Sequence, residues 1–497
     1  MSVKSNIAKV YAHIRCHALD RQSQRAVEIQ TQTLLRNVRC AKNTDFGVQH
    51  DFTGISSIRD FQQRVPVRNY EALKPWIEQM VAGKKNVLWP GIPNYLSKTS
   101  GTTSGTKYIP NTPALLKAHL AGARDALLFY IRESKNADFL NGNMMFLSGS
   151  PELEYNEAGI PVGRLSGIVN HFIPAYLKRN QIPSWDTNCI EDWEEKIHKI
   201  VQESCQADLR LISGIPPWVQ MYFEALRTQT GRSPAETWPN LSVFVFGGVD
   251  YAPYKPIFNQ YLPNYVNLVE TYPASEGFIA VQDNLQDLGM RLMTGYGIFY
   301  EFIPMEHYGK PNAPRLHIGE VQLDTQYALV LSNPAGLWAY DIGDTIRFTS
   351  LNPHRLKVTG RTSQFISAFG EHVIVEEINK SIAVAVAKCP SVVQEFTVMP
   401  RVSAEGSRHE WYIEFDQMPD SISDFRHVLE TALQAQNRYY DDLIKGAVLQ
   451  PLRIYLLRKG ACRAYMKSIG KLGGQNKFPR VKNDDSMRAA LEEWDVS

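Results

Sequence analysis

Residues 97–110 read SKTSGTTSGTKYIP, a run of serine, threonine and glycine with a lysine near each end. The run follows a short apolar stretch, NVLWPGIPNYLSK, which is typical of a strand. It precedes residues 114–134, ALLKAHLAGARDALLFYIRES, whose apolar residues recur with a helical period. A loop between a strand and the start of a helix can present unpaired backbone amides to a phosphate. This placement is compatible with a phosphate-binding loop.

The residue types of this loop suit a phosphate chain. Gly101 and Gly105 permit close approach because a Cβ would obstruct it. The spacing differs from the GxxxxGK[ST] loop of kinases and GTPases, since Thr106 separates Gly105 from Lys107. Composition alone leaves a phosphate-binding loop and a plain linker equally open. The hydroxyl groups are those of Ser100, Thr102, Thr103, Ser104 and Thr106.

The composition is that of an ordinary globular chain. It has 497 residues, of which 44% are hydrophobic and 21% charged, and its formal net charge is +2. This length is too great for one hydrophobic core, so we expect two or three domains. No basic run or Arg/Lys-rich arm stands out, which argues against nucleic-acid binding. No stretch approaches the roughly 20 apolar residues of a membrane span, so we expect no membrane association.

The six cysteines predict a reducing compartment. They are scattered without a CxxC pair, and the N-terminal residues MSVKSNIAKVYAHIRCHALD lack the apolar core of a signal peptide. Both features favour a cytoplasmic protein with reduced thiols. His13, Cys16 and His17 lie at helical spacing and could bind a metal. No further Cys or His lies near them in sequence, so an ordinary helix surface is the preferred interpretation.

The N-terminal two thirds of the chain predicts helices alternating with strands. Residues 1–40 are predicted to be helical, and VRNYEALKPWIEQMVAG (67–83) predicts an amphipathic helix that ends at a glycine. LSVFVFGGV (241–249) and NYVNLVET (264–271) predict buried strands. From 290 to 350 the segments are shorter and predict a small β-barrel or an additional sheet. The apolar positions that indicate the first helix include Ile7, Val10, Tyr11, Ile14 and Leu19.

The remainder of the chain predicts a compact α+β module of about 140 residues, a usual domain size. We place the boundary between Phe348 and Arg361, so that residues 1–355 form the N-terminal domain and 356–497 the C-terminal domain. The module is predicted to contain a strand and helix (EHVIVEEINKSIAVAVAKC), two strands (VQEFTVMPRV and RHEWYIEFDQ), one long helix (SISDFRHVLETALQAQNRYYDDLIKG) and a last strand (PLRIYLLRKG).

A second segment with suitable chemistry is VETYPASEGF (269–278), which ends a predicted strand. Open α/β sheets bind ligands at strand ends. Glu276 could hold Mg²⁺, which prefers carboxylate and phosphate oxygens, and Tyr272 offers a flat face to a base. Taken alone, the segment is better explained as a surface turn with a solvated glutamate.

Two later segments offer a carboxylate and a cation. In WAYDIGDTIRF (338–348), Asp344 or Asp341 could accept two hydrogen bonds from ribose hydroxyl groups, although for the segment taken alone a structural turn is the preferred interpretation. In GKLGGQNKFPRV (470–481), glycines surround Lys477, which could be delivered to a distant site as a point charge. Taken alone, the segment is better explained as a basic surface loop.

The order and spacing of these segments resemble the adenylate-forming superfamily. Within it, the chain is most similar to the auxin-responsive acyl-acid amido synthetases and their bacterial relatives, and the likeness runs nearly end to end. The plant enzymes commonly read Tyr-Ala-Ser-Ser-Glu, whereas this chain has Pro273 and Ala274 in the middle. The segments that carry the resemblance are AKNTDFG (41–47), VPVRNYEALKPWIEQMVAGKKNVLWPG (65–91), SKTSGTTSGTKYIP, ISGIPPWV (212–219), TYPASEG, YDIGD and GGQNKFPRV.

This resemblance implies a fold, a reaction and its cofactors. The fold would be a large N-terminal α/β domain, with mixed sheets and a small β-barrel, and a small mobile α+β C-terminal domain. A carboxylic acid and ATP with Mg²⁺ would give an acyl-adenylate and pyrophosphate. An amine, usually that of an amino acid, would then attack the acyl carbon and release AMP.

The resemblance also implies roles for individual residues. Tyr272 would lie against adenine, Ser275 near the α-phosphate, and Glu276 on Mg²⁺. Asp344 would bind the ribose and Arg361 would lie at the hinge between the domains. Lys477 would bridge the attacking carboxylate and the α-phosphate. The phosphates would be held by Ser100, Gly101, Thr102, Thr103 and Ser104, with Lys107 close by.

Three points stay open at this stage. A thiol could replace the amine, which would make the chain an acyl-CoA ligase, or the chain could be a catalytically silent binding protein. The acid pocket is expected along 114–134 and 163–174, where Arg124, Tyr130 or His171 could meet a polar group; a structural role is preferred for each. The expected partners are therefore small molecules, and a monomer is compatible with the sequence.

Overall fold

The structure, a computed structural model, describes residues 2–100, 106–173, 175–251, 254–362, 365–366, 373–402, 407–446, 448–472, 477–482 and 485–496. The chain divides into two units. The first contains residues 1–249 and 261–358, and the second contains 250–260 and 359–497. Residues 250–260 therefore belong to the second unit although they lie far from its other residues in sequence.

The helices of the described chain up to residue 261 confirm most helix predictions. The predicted helix 67–83 is α5, whose N-terminus is capped by the Asn69 side chain accepting from the amide of Ala72 at 3.0 Å. In chain order the helices are α1 Val3–Gln24, α2 Ala26–Ala41, α3 Asp45–Gln49, α4 Ile58–Arg64, α5 Tyr70–Val81, α6 Pro113–Ser134, α7 Leu165–Asn170, α8 Ala175–Lys178, α9 Trp185–Cys189, α10 Trp193–Ser204, α11 Pro216–Thr230, α12 Pro234–Thr237 and α13 Lys255–Tyr261.

The N-terminal helical region differs from its prediction in two ways. It is two helices, because the backbone at Arg25 leaves the helical region (φ −112°, ψ 28°). The apolar positions that indicated the helix do not share one buried face. Leu19 is buried together with Ala12 and Cys16, whereas Ile7 and Ile14 are 65% and 62% exposed. Helical period alone marks an apolar stripe; which stripe is buried depends on the elements packed against the helix.

The smaller sheet of the first unit has four strands in the order β2-β1-β5-β4. β1 pairs with β2 antiparallel and with β5 parallel. Its strands are β1 Tyr95–Ser100, β2 Thr106–Asn111, β4 Glu154–Tyr155 and β5 Pro161–Gly163.

The larger sheet of the first unit has eleven strands in the order β12-β13-β14-β15-β11-β10-β9-β8-β7-β3-β6. The predicted strands at 241–249 and 264–271 are confirmed as β8 and β9, and every residue of β8 is buried. The strands are β3 Asn143–Phe146, β6 Gln181–Ile182, β7 Leu209–Ser213, β8 Val243–Gly247, β9 Asn267–Ala274, β10 Gly277–Gln282, β11 Met290–Leu292, β12 Phe299–Pro304, β13 Gln326–Ser332, β14 Tyr340–Leu351 and β15 His354–Arg361.

The strands between 290 and 361 continue this sheet rather than forming a separate barrel or sheet. β11 pairs with β10 and with β15, and β12, β13 and β14 pair in antiparallel succession. All six residues of β12 are buried, and so are six of the seven residues of β13. Strands buried on both faces need cover on both sides, which here comes from a core that also contains residues of α2 and α5.

The second unit is an α+β module built on a three-stranded sheet, β18-β19-β20, with a short β16-β17 pair. The predicted long helix at 421–446 is instead α15 and α16, because the Asn437 backbone is extended and its side chain accepts from the Tyr440 amide at 2.8 Å, starting a new helix. The elements are β16 Phe365–Ile366, β17 Val373–Ile374, α14 Val375–Lys388, β18 Val392–Arg401, β19 Arg408–Gln417, α15 Ile422–Gln436, α16 Arg438–Lys445, β20 Arg453–Leu457, α17 Ala461–Ser468 and α18 Arg488–Glu492.

Within the described residues, no helix is both long and apolar enough to cross a bilayer. The same residues contain no group of three or more His, Cys, Asp or Glu side chains arranged to hold a metal ion, and Cys16 of the weighed His13–Cys16–His17 set is buried. All six cysteines have free thiols.

Candidate functional site

The Ser/Thr/Gly loop connects two strands of a hairpin. Ser100 is the last residue of β1 and faces Thr106 of β2, and Thr99 faces Lys107. The sequence placed the run between a strand and a long helix, and the structure adds a second strand: β2 follows the loop before α6 starts at Pro113. The cause is the pairing of YLSKTS with TKYIPN, a contact between segments that the helical period of 114–134 does not reveal. Gly101, Thr102, Thr103 and Ser104 lie outside the described residues.

Lys107 lies beside an aromatic ring on α5. Its Nζ atom is 5.1 Å from the ring centroid of Tyr70, within the range of a cation–π contact. The Tyr70 hydroxyl oxygen accepts a hydrogen bond from the Tyr108 amide at 2.9 Å. Two neighbouring residues of β2, Lys107 and Tyr108, therefore both contact Tyr70, and these contacts hold the base of the hairpin against α5.

Tyr272 and Asp344 lie in direct contact. The Tyr272 hydroxyl donates a hydrogen bond to Asp344 Oδ2. Tyr272 is 7% exposed on β9 and Asp344 is 8% exposed on β14, so the pair is almost completely buried. Two residues 72 positions apart, predicted separately to contact the base and the ribose, thus meet at one place.

The turn that carries Ser275 and Glu276 joins β9 to β10. Both residues are nearly buried, at 8% and 9% exposure. The Glu276 carbonyl accepts a hydrogen bond from Asn333 Nδ2 at 2.8 Å, and this bond fixes the backbone of the turn. A Cβ on Gly277 would lie 2.1 Å from Ile298 Cδ1, so a side chain at the residue after Glu276 would have to displace the end of the Ile298 side chain.

Asp341, the alternative ribose ligand, has different contacts. Its Oδ2 atom accepts from the Tyr308 hydroxyl at 2.5 Å, and its Oδ1 atom accepts from the Gly343 amide at 2.8 Å. Gly343 has φ 81°, a conformation that favours glycine. Asp341 therefore holds the tight turn before Asp344, and the structure brings Asp344 rather than Asp341 to Tyr272.

These groups lie at the carboxyl edge of the parallel part of the large sheet. β3, β7, β8 and β9 run parallel, with Phe146 opposite Ser213 and Gly247 opposite Thr271. Tyr272 follows Thr271 directly, so the turn to Glu276 continues past this edge. Open α/β sheets bind ligands outside the carboxyl ends of their strands.

In the second unit, Lys477 is exposed and opens a short segment that is fixed to β18. The Val398 amide donates to the Arg480 carbonyl at 3.0 Å, and the Lys482 amide donates to the Val398 carbonyl at 3.0 Å. The Arg480 guanidinium pairs with Glu395 and lies 4.3 Å from the Phe396 ring centroid. It also donates to the Tyr254 hydroxyl at 3.1 Å.

The remaining predicted residues lie at separate places. Arg361 is the exposed last residue of β15. Arg124 forms an ion pair with buried Asp125 at 2.7 Å. Tyr130 is 1% exposed and donates to the Ser242 carbonyl at 3.4 Å. His171 Nε2 donates to the Pro151 carbonyl at 2.8 Å. Arg124, Tyr130 and His171 each have a structural partner, and no contact recorded among described residues joins any two of them.

Sequence models of three consecutive domains match this chain. The GH3 family N-terminal domain matches residues 15–187, the GH3 family central domain matches 291–361, and the GH3 family C-terminal domain matches 376–486. The chain belongs to the GH3 family.

Curated GH3 proteins of plants resemble the chain over nearly its full length. The jasmonoyl–L-amino acid synthetase GH3.5 of Oryza sativa subsp. japonica is 22% identical, over 93% of this chain and 93% of that protein. The 4-substituted benzoates–glutamate ligase GH3.12 of Arabidopsis thaliana is also 22% identical, over 87% of this chain and 89% of that protein. Family membership and these relatives confirm the predicted enzyme class, an ATP-dependent acid–amino acid ligase.

Solved structures confirm the predicted α/β fold class with a C-terminal domain. A GH3.15 acyl acid amido synthetase superposes with a TM-score of 0.80 at 16% identity, covering 97% of this chain and 96% of that one. A 2-hydroxyisobutyryl-CoA ligase in complex with 2-HIB-AMP superposes with a TM-score of 0.61 at 14% identity, covering 95% and 92%. The fold of this GH3 chain is thus shared with adenylate-forming enzymes.

Sequence reasoning missed several residues that support this GH3 site. Asn333 holds the turn at Glu276, and Tyr308 holds Asp341. Arg480 fixes the segment after Lys477 to β18. Arg480 belongs to the segment GGQNKFPRV that carries the family resemblance, and its position after Pro479 is the one local feature that could have drawn attention to it. Nothing in the local sequence around Asn333 marks it as a partner of residue 276.

Proposed function

We propose that this chain activates a carboxylic acid with ATP and transfers the acyl group to the amine of an amino acid. The first half-reaction gives an acyl-adenylate and pyrophosphate, and the second gives an amide and AMP. The observation that carries the proposal is the buried contact of Tyr272 with Asp344 at the carboxyl edge of the large sheet. It joins two segments of an adenylate-forming pattern into one site.

The first unit supplies the nucleotide contacts in this proposal. Tyr272 lies against adenine, Asp344 accepts from the ribose hydroxyl groups, and Ser275 lies near the α-phosphate. Asp344 also accepts a hydrogen bond from the Tyr272 hydroxyl at Oδ2, which joins the proposed base contact to the proposed ribose contact. The hairpin loop holds the phosphates through Ser100, Gly101, Thr102, Thr103 and Ser104, with Lys107 at its base.

Glu276 is the proposed Mg²⁺ ligand, and the donor set suits that ion. The described residues contain no group of three or more protein ligands, so protein atoms alone provide no metal cage there. Mg²⁺ is usually held by one or two carboxylates together with substrate phosphates and water. The nearly buried carboxylate of Glu276, next to the proposed phosphate contacts, meets that requirement. When bound, the ion would offset the negative charge of the phosphates.

Lys477 is the proposed catalytic cation, carried by a C-terminal domain that we propose to be mobile. In adenylation a carboxylate must approach an anionic phosphate, so electrostatic repulsion dominates the barrier. A lysine between the two groups offsets charge as it develops, and such preorganised electrostatics is usually the largest catalytic contribution. We place the hinge at Arg361, at the end of β15.

The substrates are proposed as small molecules. The relatives' names describe acyl acids joined to amino acids, and we propose the same substrate classes here. Arg124, Tyr130 and His171 remain the proposed acid-pocket residues, each also serving its structural partner. We place the reaction in the cytoplasm, consistent with six free thiols.

The test separates the two half-reactions. The protein is incubated with ATP, Mg²⁺ and pooled carboxylic acids, and pyrophosphate release is measured for each pool. Amino acids or coenzyme A are then added, and the product is identified by mass spectrometry. We expect release with a subset of acids and an amide product. A thioester would make the chain an acyl-CoA ligase, and no release with any acid would contradict the proposed activity.

A further inference from the structure

Arg164 directly follows β5 and is the N-cap residue of α7. β5 is parallel to β1, with Ser97 opposite Gly163. Arg164 is the next residue after Gly163, and Ser97 lies three residues before Ser100. Three residues of strand span about 10 Å. The small sheet therefore places Arg164 near the end of β1, where Ser100 is the last residue.

The side chain of Arg164 also reaches the edge of the large sheet. It lies across Gly149, where an added Cβ would be 2.7 Å from Arg164 Cδ and 3.0 Å from Nη1. Gly149 follows β3, one of the parallel strands whose carboxyl ends form the candidate site. Glycine at this position leaves the room that the arginine occupies. Arg164 therefore spans from the small sheet to the ligand-binding edge of the large one.

The Arg164 guanidinium has no counterion in the part of the chain that the structure describes. It forms no ion pair or side-chain hydrogen bond with a described residue, although it is half-buried. Burial lowers the pKa of Arg164, and Glu191, an exposed acid, opposes that shift without forming an ion pair. A half-buried guanidinium without a paired carboxylate produces a local positive potential.

A second basic residue, Lys196, contacts the segment next to Gly149. Lys196 is 2% exposed and donates to the carbonyls of Ser148 and Asn188 at 3.1 and 2.6 Å. Burial lowers the pKa of Lys196 to about 8, and the charge of Arg164 contributes to the lowering. Lys196 thus fixes the segment before Gly149, and no described acid forms an ion pair with it.

We propose that Arg164 binds a substrate carboxylate other than the one that is activated. A guanidinium offers two parallel N–H donors that match a carboxylate. The carboxylate has two possible sources, the amino acid acceptor or a second carboxylate on the acid. This inference rests on the proposed ligase activity and names a specificity contact within it.

The experiment compares substrates with and without the carboxylate, using the acid and amino acid that the pyrophosphate screen identifies. For the acceptor, the amino acid is compared with its carboxamide, which keeps the amine but lacks the charge (for alanine, alaninamide). For the acid, a dicarboxylate is compared with its half-amide. We expect wild-type kcat/KM to favour the charged form in one pair by roughly tenfold or more, the scale of a charge-assisted hydrogen bond.

Arg164→Gln should abolish that preference, and Arg164→Lys should restore part of it. A change confined to the acceptor pair assigns the contact to the amino acid, and a change in acid-dependent pyrophosphate exchange assigns it to the acid. Gly149→Ala, which displaces the arginine without removing charge, should weaken the same preference. Arg59→Gln, an exposed arginine on α4, should leave it unchanged.

Two results overturn the inference while the ligase activity stands. One is an active Arg164→Gln protein that keeps both preferences, and the other is a change in the KM for ATP alone, which would make Arg164 a phosphate contact. An inactive wild type contradicts the ligase proposal itself, and the inference falls with it. Thermal melting of each variant separates misfolding from loss of binding, and Gly149→Ala gives an answer if Arg164→Gln is unstable.

Discussion

The Tyr272–Asp344 pair and the Lys477 segment hold functional groups in different ways. Tyr272 and Asp344 are themselves buried, and a hydrogen bond joins them. Lys477 is exposed, and the residue that is fixed is Arg480, three positions later. A nucleotide pocket gains from rigid, preorganised acceptors, whereas a buried lysine without a paired acid tends to lose its charge. The comparison suggests a fixed site in one unit and a cation presented on an anchored segment in the other.

The largest expected effect is that of Lys477→Ala. We expect acid-dependent pyrophosphate exchange to fall by about a thousandfold, since the variant removes a preorganised charge from the transition state. ATP binding, measured by calorimetry, should change little. Lys471→Ala removes another exposed lysine before the same segment and should leave exchange intact. Undiminished exchange in Lys477→Ala would remove this residue from the mechanism.

Arg480→Met tests whether the ion pair of Arg480 with Glu395 fixes the segment 477–482 to β18. Burial raises the pKa of Glu395 against the opposing effect of Arg480, so removing the arginine leaves a buried acid unpaired. We expect the free energy of unfolding of the second unit to fall by about 3 kcal/mol. The double variant Arg480→Met/Glu395→Gln should recover part of this loss in denaturant titrations. Equal stability of the single and double variants would contradict the pairing.

Asp344→Asn tests the fixed site. It keeps the shape of the side chain but removes the charge proposed to accept from the ribose, so we expect the KM for ATP to rise about thirtyfold. Asp341→Asn is the matched control, because Asp341 holds Tyr308 and the Gly343 turn instead. The reverse result, with the larger KM change in Asp341→Asn, would assign the ribose to Asp341.

Glu276→Gln should give the smallest effect. The amide is a weaker Mg²⁺ ligand than the carboxylate, and substrate phosphates would still hold the ion, so we expect the Mg²⁺ midpoint to rise about tenfold. Titrating Mg²⁺ at saturating ATP measures the shift, with exposed Glu306→Gln as control. An unchanged midpoint would leave Glu276 without a metal role.

The sequence predicted the functional segments better than their surroundings. VETYPASEGF was predicted to end a strand, and β9 does end at Ala274. The loop SKTSGTTSGTKYIP was placed before a helix, but pairing of its two flanks makes it a hairpin. The break at Asn437 was missed because helical period continues through it, although its side chain starts a new helix. The period of apolar residues describes one segment at a time, whereas strand pairing and helix capping depend on which other groups of the chain a segment meets.

By itself, the sequence determined the buried strands, the α+β character of the C-terminal module and the residue types available for acyl activation. The reason is that apolar period and turn residues act over a few neighbouring positions. Only the tertiary structure decided that Tyr272 meets Asp344, that Arg480 anchors the segment of Lys477, and that Arg164 lies across Gly149. These contacts join residues 72, 82 and 15 positions apart, and they form because strand register and packing bring together side chains that no local pattern relates.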